Sequence, residues 1–272
     1  MKIDEMKRYA ERTVRTALGT GAETAEVTVA ERVEFSVEAR KGAVEKLVEA
    51  VSSTVEVELS IGGRKAFVSS SDLSEASVTG LVTEAFDLAK VMDRDEYFGL
   101  PEAAELGAAQ RDLMIFDPEA AATPTERKIA LALELERKAL ALDRRIIPDG
   151  SSFSNNAQTV AFANSLGVCE AYRRTANTLA LSCAVEDRPE QSENTGKKQS
   201  SYWYSTAVRA RELESADEIA SKAVSRTLRK IGARKPKTCE VPVVFDPETA
   251  RDLLASVAHA VSGGNIYRKA SF

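Results

Sequence analysis

The 272-residue sequence holds a single histidine, His259, and a single tryptophan. One imidazole excludes a zincin helix, which presents two histidines four residues apart with a glutamate beside the first. Without a second histidine or a Gly-x-Ser-x-Gly elbow, the chain also offers no serine or cysteine triad. Its three cysteines, Cys169, Cys183 and Cys239, are odd in number and widely spaced. That pattern fits neither a disulfide framework nor a Cys-x-x-Cys metal knuckle, so reduced, buried thiols are expected. No apolar run approaches the length of a membrane span, and the opening MKIDEMKRYAERTV lacks the apolar core of a signal peptide. A cytoplasmic, membrane-free protein is the expectation. The net charge of −5 also lacks the concentrated positive field that nucleic-acid binding requires.

What is present alternates between helical and extended periods. Residues 3 to 18 place Ile3, Met6, Ala10, Val14, Ala17 and Leu18 on one helical face, which Gly19 and Gly21 end. From Val27 the period becomes two, and alternating runs cover 27 to 37, 43 to 50, 54 to 61 and 64 to 70. Turn signals at Lys41-Gly42 and Gly62-Gly63 favour an antiparallel meander. A second helix follows Asp72, with Leu81, Ala85, Leu88 and Met92 as its stripe. An irregular connector runs from Asp93 to Ala122, after which Thr123-Pro124-Thr125-Glu126 reads as a capping box opening a helix to about Leu142. Strand-like segments on either side of Ser165-Leu166-Gly167, including Leu179, Leu181, Cys183 and Val185, predict a second antiparallel sheet. The polar stretch from Asp187 to Ser201 reads as a mobile loop. Ser215 and Glu218 form another capping box, Val241 to Phe245 reads as a buried strand, and Asp246-Pro247 caps the last helix.

Few of these segments carry chemistry. On the last helix the apolar stripe is Ala250, Leu253, Leu254, Val257 and Val261, and His259 lies nearly opposite it. A surface or interface role fits it better than a ligand role. Gly263 and Gly264 follow a helix C-terminus, where glycines of positive φ terminate helices, rather than opening one around a phosphate. The basic residues Arg226, Arg229, Lys230, Arg234, Lys235 and Lys237 complement a helix end and continue into a linker. Tyr202-Trp203-Tyr204 alternates across a strand, which suits sheet packing. The pairs Glu186-Asp187 and Asp93 with Asp95 lie in turns, outside an apolar setting that would suit acid catalysis.

Several patches, in order, resemble one family: Glu38-Ala-Arg-Lys-Gly, Gly62-Gly-Arg, Ala163-Asn-Ser-Leu-Gly, Gly232-Ala-Arg-Lys, Val241-Pro-Val-Val-Phe-Asp-Pro and Ser262-Gly-Gly-Asn-Ile-Tyr-Arg-Lys-Ala-Ser-Phe. Across residues 24 to 272 the sequence resembles the TldD/PmbA family of cytosolic peptidase subunits, historically labelled modulators of DNA gyrase. In the catalytic TldD type, Leu-Leu-His-Glu-Ala-Val-Gly-His supplies histidines that bind zinc together with a cysteine of the C-terminal domain. Setting Leu253-Leu254 on that Leu-Leu puts Ala255 and Ser256 where the first histidine and the glutamate belong. Matching His259 to the second histidine puts Leu254 and Ala255 there instead. The ending resembles the PmbA type, also called TldE, which lacks the zinc motif and pairs with a TldD-type partner. Family members continue into a third, mostly β, domain, so the resemblance implies a chain truncated before it.

These readings predict an α+β protein: an N-terminal domain over 1–115, a second over 116–235, each an antiparallel sheet packed by helices, and the first strand and helix of a third over 236–272. The resemblance implies a noncatalytic subunit of a zinc metallopeptidase that degrades or matures peptides, as a homodimer or with a TldD-type paralogue that holds the zinc. A peptide- or protein-binding adaptor without a peptidase partner is the alternative. No residue is assigned to catalysis, cofactor or metal. Asp252, Ser256, His259, Tyr267, Arg268 and Lys269 are the candidates for an interface.

Overall fold

The computed structural model describes residues 1–106, 111–119, 123–187 and 197–271. It divides into two units, Met1–Gly232 and Ala233–Phe272. The first contains helices α1 (Ile3–Gly19), α2 (Glu75–Val91), α3 (Thr125–Leu142) and α4 (Ala216–Leu228). Its strands are β1 (Thr24–Arg40), β2 (Ala43–Ile61), β3 (Arg64–Ser70), β4 (Ile147–Asn164), β5 (Cys169–Glu186) and β6 (Lys198–Ala207). The α+β class is as expected, but the two meanders are not separate sheets. They form one sheet of order β3-β2-β1-β4-β5-β6, with every pair antiparallel. The ladder from Glu26 opposite Asn164 to Ala39 opposite Ser151 joins them. The physical reason is that β1 and β4 would each be a long unpaired edge, and pairing them satisfies both rows of backbone groups.

Turn chemistry sets the first hairpins. Lys41 and Gly42 both take positive φ, 55° and 75°, the conformation a two-residue turn needs to match strand twist. The runs 43 to 50 and 54 to 61 are a single 19-residue strand, because Ser52 and Ser53 stay in register with Arg32 and Glu31.

Parity locates the core. From β1, β2, β4 and β5, every residue in the two apolar clusters is odd-numbered, so all four helices share one face of the sheet. Met6, Tyr9, Ala10, Val14 and Ala17 of α1 pack with Val78, Leu81, Val82, Ala85 and Ala89 of α2 over Val27, Val29, Val55, Val57 and Leu59. The α2 stripe is rotated from the expected one, leaving Leu88 and Met92 exposed. Over the other end, Leu135 of α3 and Ile219 of α4 cover Phe35, Val37, Phe153, Leu179 and Leu181.

Helix starts follow local donors and acceptors. The α4 capping box forms as expected: Ser215 Oγ accepts from the Glu218 N–H at 3.3 Å, and Glu218 Oε2 accepts from the Ser215 N–H at 2.9 Å. The α3 box at Thr123 does not form. Its helix opens at Thr125 with Pro124 as N-cap, because the first-turn amides of Arg127 and Lys128 reach the Pro124 carbonyl. Thr123 Oγ1 instead faces the Glu119 carbonyl at 3.5 Å. Of the predicted mobile loop, 188–196 lie outside the described residues. Asp187 is buried, and Lys198 to Ser201 belong to β6. The expected connector is irregular over its described part, while 107–110 and 120–122 lie outside it.

In the second unit, α5 (Pro247–Ala260) is capped as predicted, Asp246 Oδ1 accepting from the Thr249 N–H at 2.8 Å. Val241 to Phe245 is not a strand, and its side chains are exposed. A strand needs a ladder, and no described strand pairs with this segment. Gly263 and Gly264 are not positive-φ terminators either. They open the short helix α6 (Gly263–Tyr267) behind Ser262, and the positive φ falls on Lys269.

Phe153 is 1% exposed, with its ring centroid 6.5 Å from that of Phe35. Replacing Phe153 with alanine is expected to cost about 3–5 kcal/mol. Chemical denaturation followed by circular dichroism and by Trp203 fluorescence reads this loss as a lower midpoint in both signals.

Candidate functional site

The interface candidates of the second unit lie on α5 and α6. Asp252, Ser256 and His259 recur at helical spacing on one face of α5. Ser256 Oγ donates to the Asp252 carbonyl at 2.8 Å, and the Asp252 carboxylate accepts from the Arg251 guanidinium at 2.9 Å. The His259 imidazole is exposed, and its carbonyl accepts from Asn265 Nδ2 at 2.8 Å, tying α5 to α6. Tyr267, Arg268 and Lys269 follow at the end of α6, all exposed. Leu253, Leu254, Val257 and Val261 are exposed on α5 as well.

This donor set does not fit zinc. Within one helical turn before His259 stand Ala255 and Ser256, and no group of three or more His, Cys, Asp or Glu side chains that could hold a metal occurs among the described residues. No metal-dependent step is therefore derived for these residues.

The first unit buries several ionisable groups in structural roles. Asp187, 2% exposed, accepts from Gln199 Nε2 at 2.7 Å and from the Gly232 N–H at 3.0 Å. Its carboxylate thus pins the chain after α4 to the β5–β6 hairpin, a buried setting that the expected turn did not suggest. Glu136 Oε2 accepts from the Gly42 N–H at 2.9 Å and so braces the β1–β2 turn against α3. Burial pushes the Lys128 ammonium pKa down and Glu49 opposes the shift; Lys128 Nζ lies 4.5 Å from the Phe35 ring centroid. Trp203 donates from Nε1 to Glu214 at 2.9 Å and lies under Arg226 and Lys222, at 4.2 and 4.8 Å. Tyr202 and Tyr204 stack on the opposite face, as alternation predicts. Of the basic segment, Arg226 and Lys230 are engaged inside the unit, Lys230 Nζ donating to the Ser200 carbonyl at 2.6 Å.

Sequence reasoning did not single out a cavity of about 530 Å³ lined by Arg32, Asn156, Gln158 and Arg174, with Ile115 and Val208 at its edge. The four polar side chains occupy even positions of β1, β4 and β5, opposite in parity to the helix-covered positions. Their polar alternation was visible, but the pairing of β1 with β4 that assembles them was not.

Two segments match family domains: residues 25–89 match PmbA/TldA metallopeptidase domain 1, and residues 118–231 match the PmbA/TldA metallopeptidase central domain. The metalloprotease PmbA of Escherichia coli O157:H7 is 30% identical over 275 residues, covering 100% of this chain and 59% of that protein. The chain belongs to the PmbA/TldD family.

A PmbA homologue of Haemophilus influenzae is also 30% identical, over 98% of this chain and 57% of that protein. The chain thus spans under two thirds of the length of these PmbA relatives. Among solved structures, a Bacteroides thetaiotaomicron protein named as a modulator of DNA gyrase shares the fold at TM-score 0.89 and 24% identity, covering 98% of this chain and 59% of that one. TldE from Thermococcus kodakarensis shares it at TM-score 0.69 and 13% identity, covering 81% and 47%. The cavity takes Arg32 from the first PmbA/TldA domain and the other three polar residues from the central one, whereas α5 and α6 lie beyond both matches. No helix among the described residues is long and apolar enough to cross a membrane.

The cysteines depart from expectation at one position: Cys239 is exposed, while Cys183 is buried and Cys169 partly so. Burial, with a smaller contribution from Asp149, pushes the Cys183 thiol up to about 12. Since the thiolate is the reactive form, alkylation at mildly alkaline pH is expected to modify Cys239 first and Cys183 only after unfolding, read by peptide mass spectrometry. A folded pKa above the unfolded value favours the protonated native state. The Cys183 contribution is therefore fully present below the unfolded thiol pKa of about 9 and is lost as pH rises toward about 12.

Proposed function

We propose that this chain is a noncatalytic, PmbA/TldE-type subunit of a cytoplasmic zinc metallopeptidase that degrades or matures peptides. The zinc, the general base and the activated water reside on a TldD-type paralogue. The observation that carries the reading is helix α5, where a family member would hold its metal. It presents Ala255 and Ser256 ahead of the sole histidine of the sequence, and no group of three or more His, Cys, Asp or Glu side chains that could hold a metal occurs among the described residues. The curated relatives named metalloprotease PmbA support the family context, and the likeness to TldE supports the fold. In this reading the chain encloses substrate and docks its partner, through the α5 and α6 residues Asp252, Ser256, His259, Tyr267, Arg268 and Lys269.

The test is co-expression with a paralogue bearing the His-Glu-x-x-x-His helix. Recovery of a complex whose zinc follows the paralogue is expected, with the zinc content per recovered complex unchanged in a His259→Ala variant of this chain. Stoichiometric zinc and turnover by this chain alone would overturn the assignment. Recovery of a different protein with no paralogue in the complex would favour the adaptor reading.

A further inference from the structure

The cavity on the helix-free face is built differently from the rest of this acidic chain. Register places Arg32, Gln158 and Arg174 in one row across β1, β4 and β5, with Asn156 in the next row. Two inter-strand spacings set the arginine backbones about 10 Å apart. Each guanidinium is held by an amide from β4. Arg32 donates from Nε and Nη2 to Asn156 Oδ1 at 3.3 and 2.9 Å, and Arg174 donates from Nε to Gln158 Oε1 at 2.7 Å. These bonds fix the planes of the two forks and leave the Nη groups of Arg174 without a protein acceptor among the described residues.

Charge in the cavity is one-sided. Its lining contains two arginines and no acid, and Arg32 Nε pairs with the Glu34 carboxylate beside it at 3.6 Å. A second cavity of about 430 Å³ shares Ile115 and adds Arg111, Arg173 and Arg209 against one acid, Asp112. Arg173 lies 4.0 Å over the Phe116 ring and Arg209 pairs with Glu212 at 3.0 Å, so Arg174 of the larger cavity, whose Nε donates to Gln158, is the better placed for a ligand. A planar guanidinium matches a carboxylate bidentately. Ile115, Ala176 and Val208 add apolar wall, which suits aliphatic side chains.

We propose that this cavity binds carboxylate groups of an extended peptide, with Arg32 and Arg174 as the anion-recognising residues and Asn156 and Gln158 as the residues that position them. The assignment of a peptide rests on the proposed function, whereas the preference for carboxylate rests on the cavity alone. A polyanion such as single-stranded nucleic acid is disfavoured by the net charge of −5 of the chain as a whole.

The test is fluorescence anisotropy with the isolated chain, free of metal and partner, so its outcome is independent of whether a paralogue is recovered. Three labelled probes separate the sources: a glutamate-containing peptide with an amidated C-terminus, its glutamine counterpart with a free C-terminal carboxylate, and the same glutamine peptide amidated. Binding of either carboxylate-bearing probe, with no binding of the neutral amidated one, is the expected result, and it identifies side-chain or terminal carboxylate as the source. Arg32→Gln and Arg174→Gln are each expected to weaken binding roughly tenfold, and Arg174→Lys to weaken it less. Equal binding of all three probes would overturn the proposal, as would unchanged affinity in both glutamine variants, no binding of either carboxylate probe, or preference for a single-stranded oligonucleotide. Should a variant unfold, wild-type affinity that does not fall with added salt is the overturning result.

Discussion

The backbone ladder between β1 and β4 is the interaction on which the rest of the molecule depends. It pairs 14 residues of strands more than a hundred positions apart, from Glu26 with Asn164 to Ala39 with Ser151. Since side chains alternate with period two, this register aligns the odd positions of both meanders on one face, where Val29 lies opposite Ala161 and Val37 opposite Phe153. A slip of one residue would send one of the two sets to the helix-free face, and if β1 turned over it would place Arg32 and Glu34 beneath the helices. The two family domains therefore share one sheet, and neither core can form fully without the other's register being correct.

Between the two apolar cores the same face turns polar, and that change connects packing to the cavity. Asn155 Nδ2 donates to Asn177 Oδ1 at 2.7 Å, and Asn177 Nδ2 donates to the Val208 carbonyl at 2.8 Å. Thr175 Oγ1 donates to that same carbonyl at 3.0 Å and accepts from the Asp117 N–H at 2.9 Å. Asn155, Thr175, Asn177 and Asp117 are all buried, so each unmade bond would carry a desolvation cost of about 1–3 kcal/mol. This chain of bonds holds Val208 and the stretch beside Ile115, whose carbonyl accepts from the Thr175 N–H at 2.9 Å. Those two residues form the edge of the arginine-lined cavity, so its shape is fixed by buried polar groups on the opposite parity of the same strands.

Local signals made most elements legible and long-range ones did not. The α1 stripe from Met6 to Ala17, the Lys41-Gly42 turn, the Ser215 box and the Asp246 cap depend on residues within a few positions, and each forms where the sequence predicts it, while Leu18, expected in that stripe, is exposed. The misreadings share a cause in tertiary context. The sequence predicts two separate meanders because nothing in residues 24 to 40 announces a partner at 151 to 164. Val241 to Phe245 has the composition of a strand, but apolar β-branched residues need a ladder that no described strand supplies. Gly263 and Gly264 follow the pattern of helix terminators, yet Ser262 starts a new turn there. The same limit hid Arg32 and Arg174. Each looked like an ordinary outward-facing charge, and only the β1–β4–β5 register makes them neighbours.

The two halves of the functional argument rest on different physics and constrain one another. A metal centre requires several donors converging within bonding distance, and among the described residues α5 offers one exposed imidazole with small side chains before it. Recognition needs less: two fixed guanidinium groups and a matching charge suffice to orient a carboxylate. A chain of net charge −5 repels long polyanions at a distance, while a short ligand inside a cavity feels mainly the charges that line it. Such a surface discriminates by length as well as by sign. It admits a peptide carboxylate that reaches Arg32 and Arg174, whereas the net charge of −5 opposes the approach of a long polyanion.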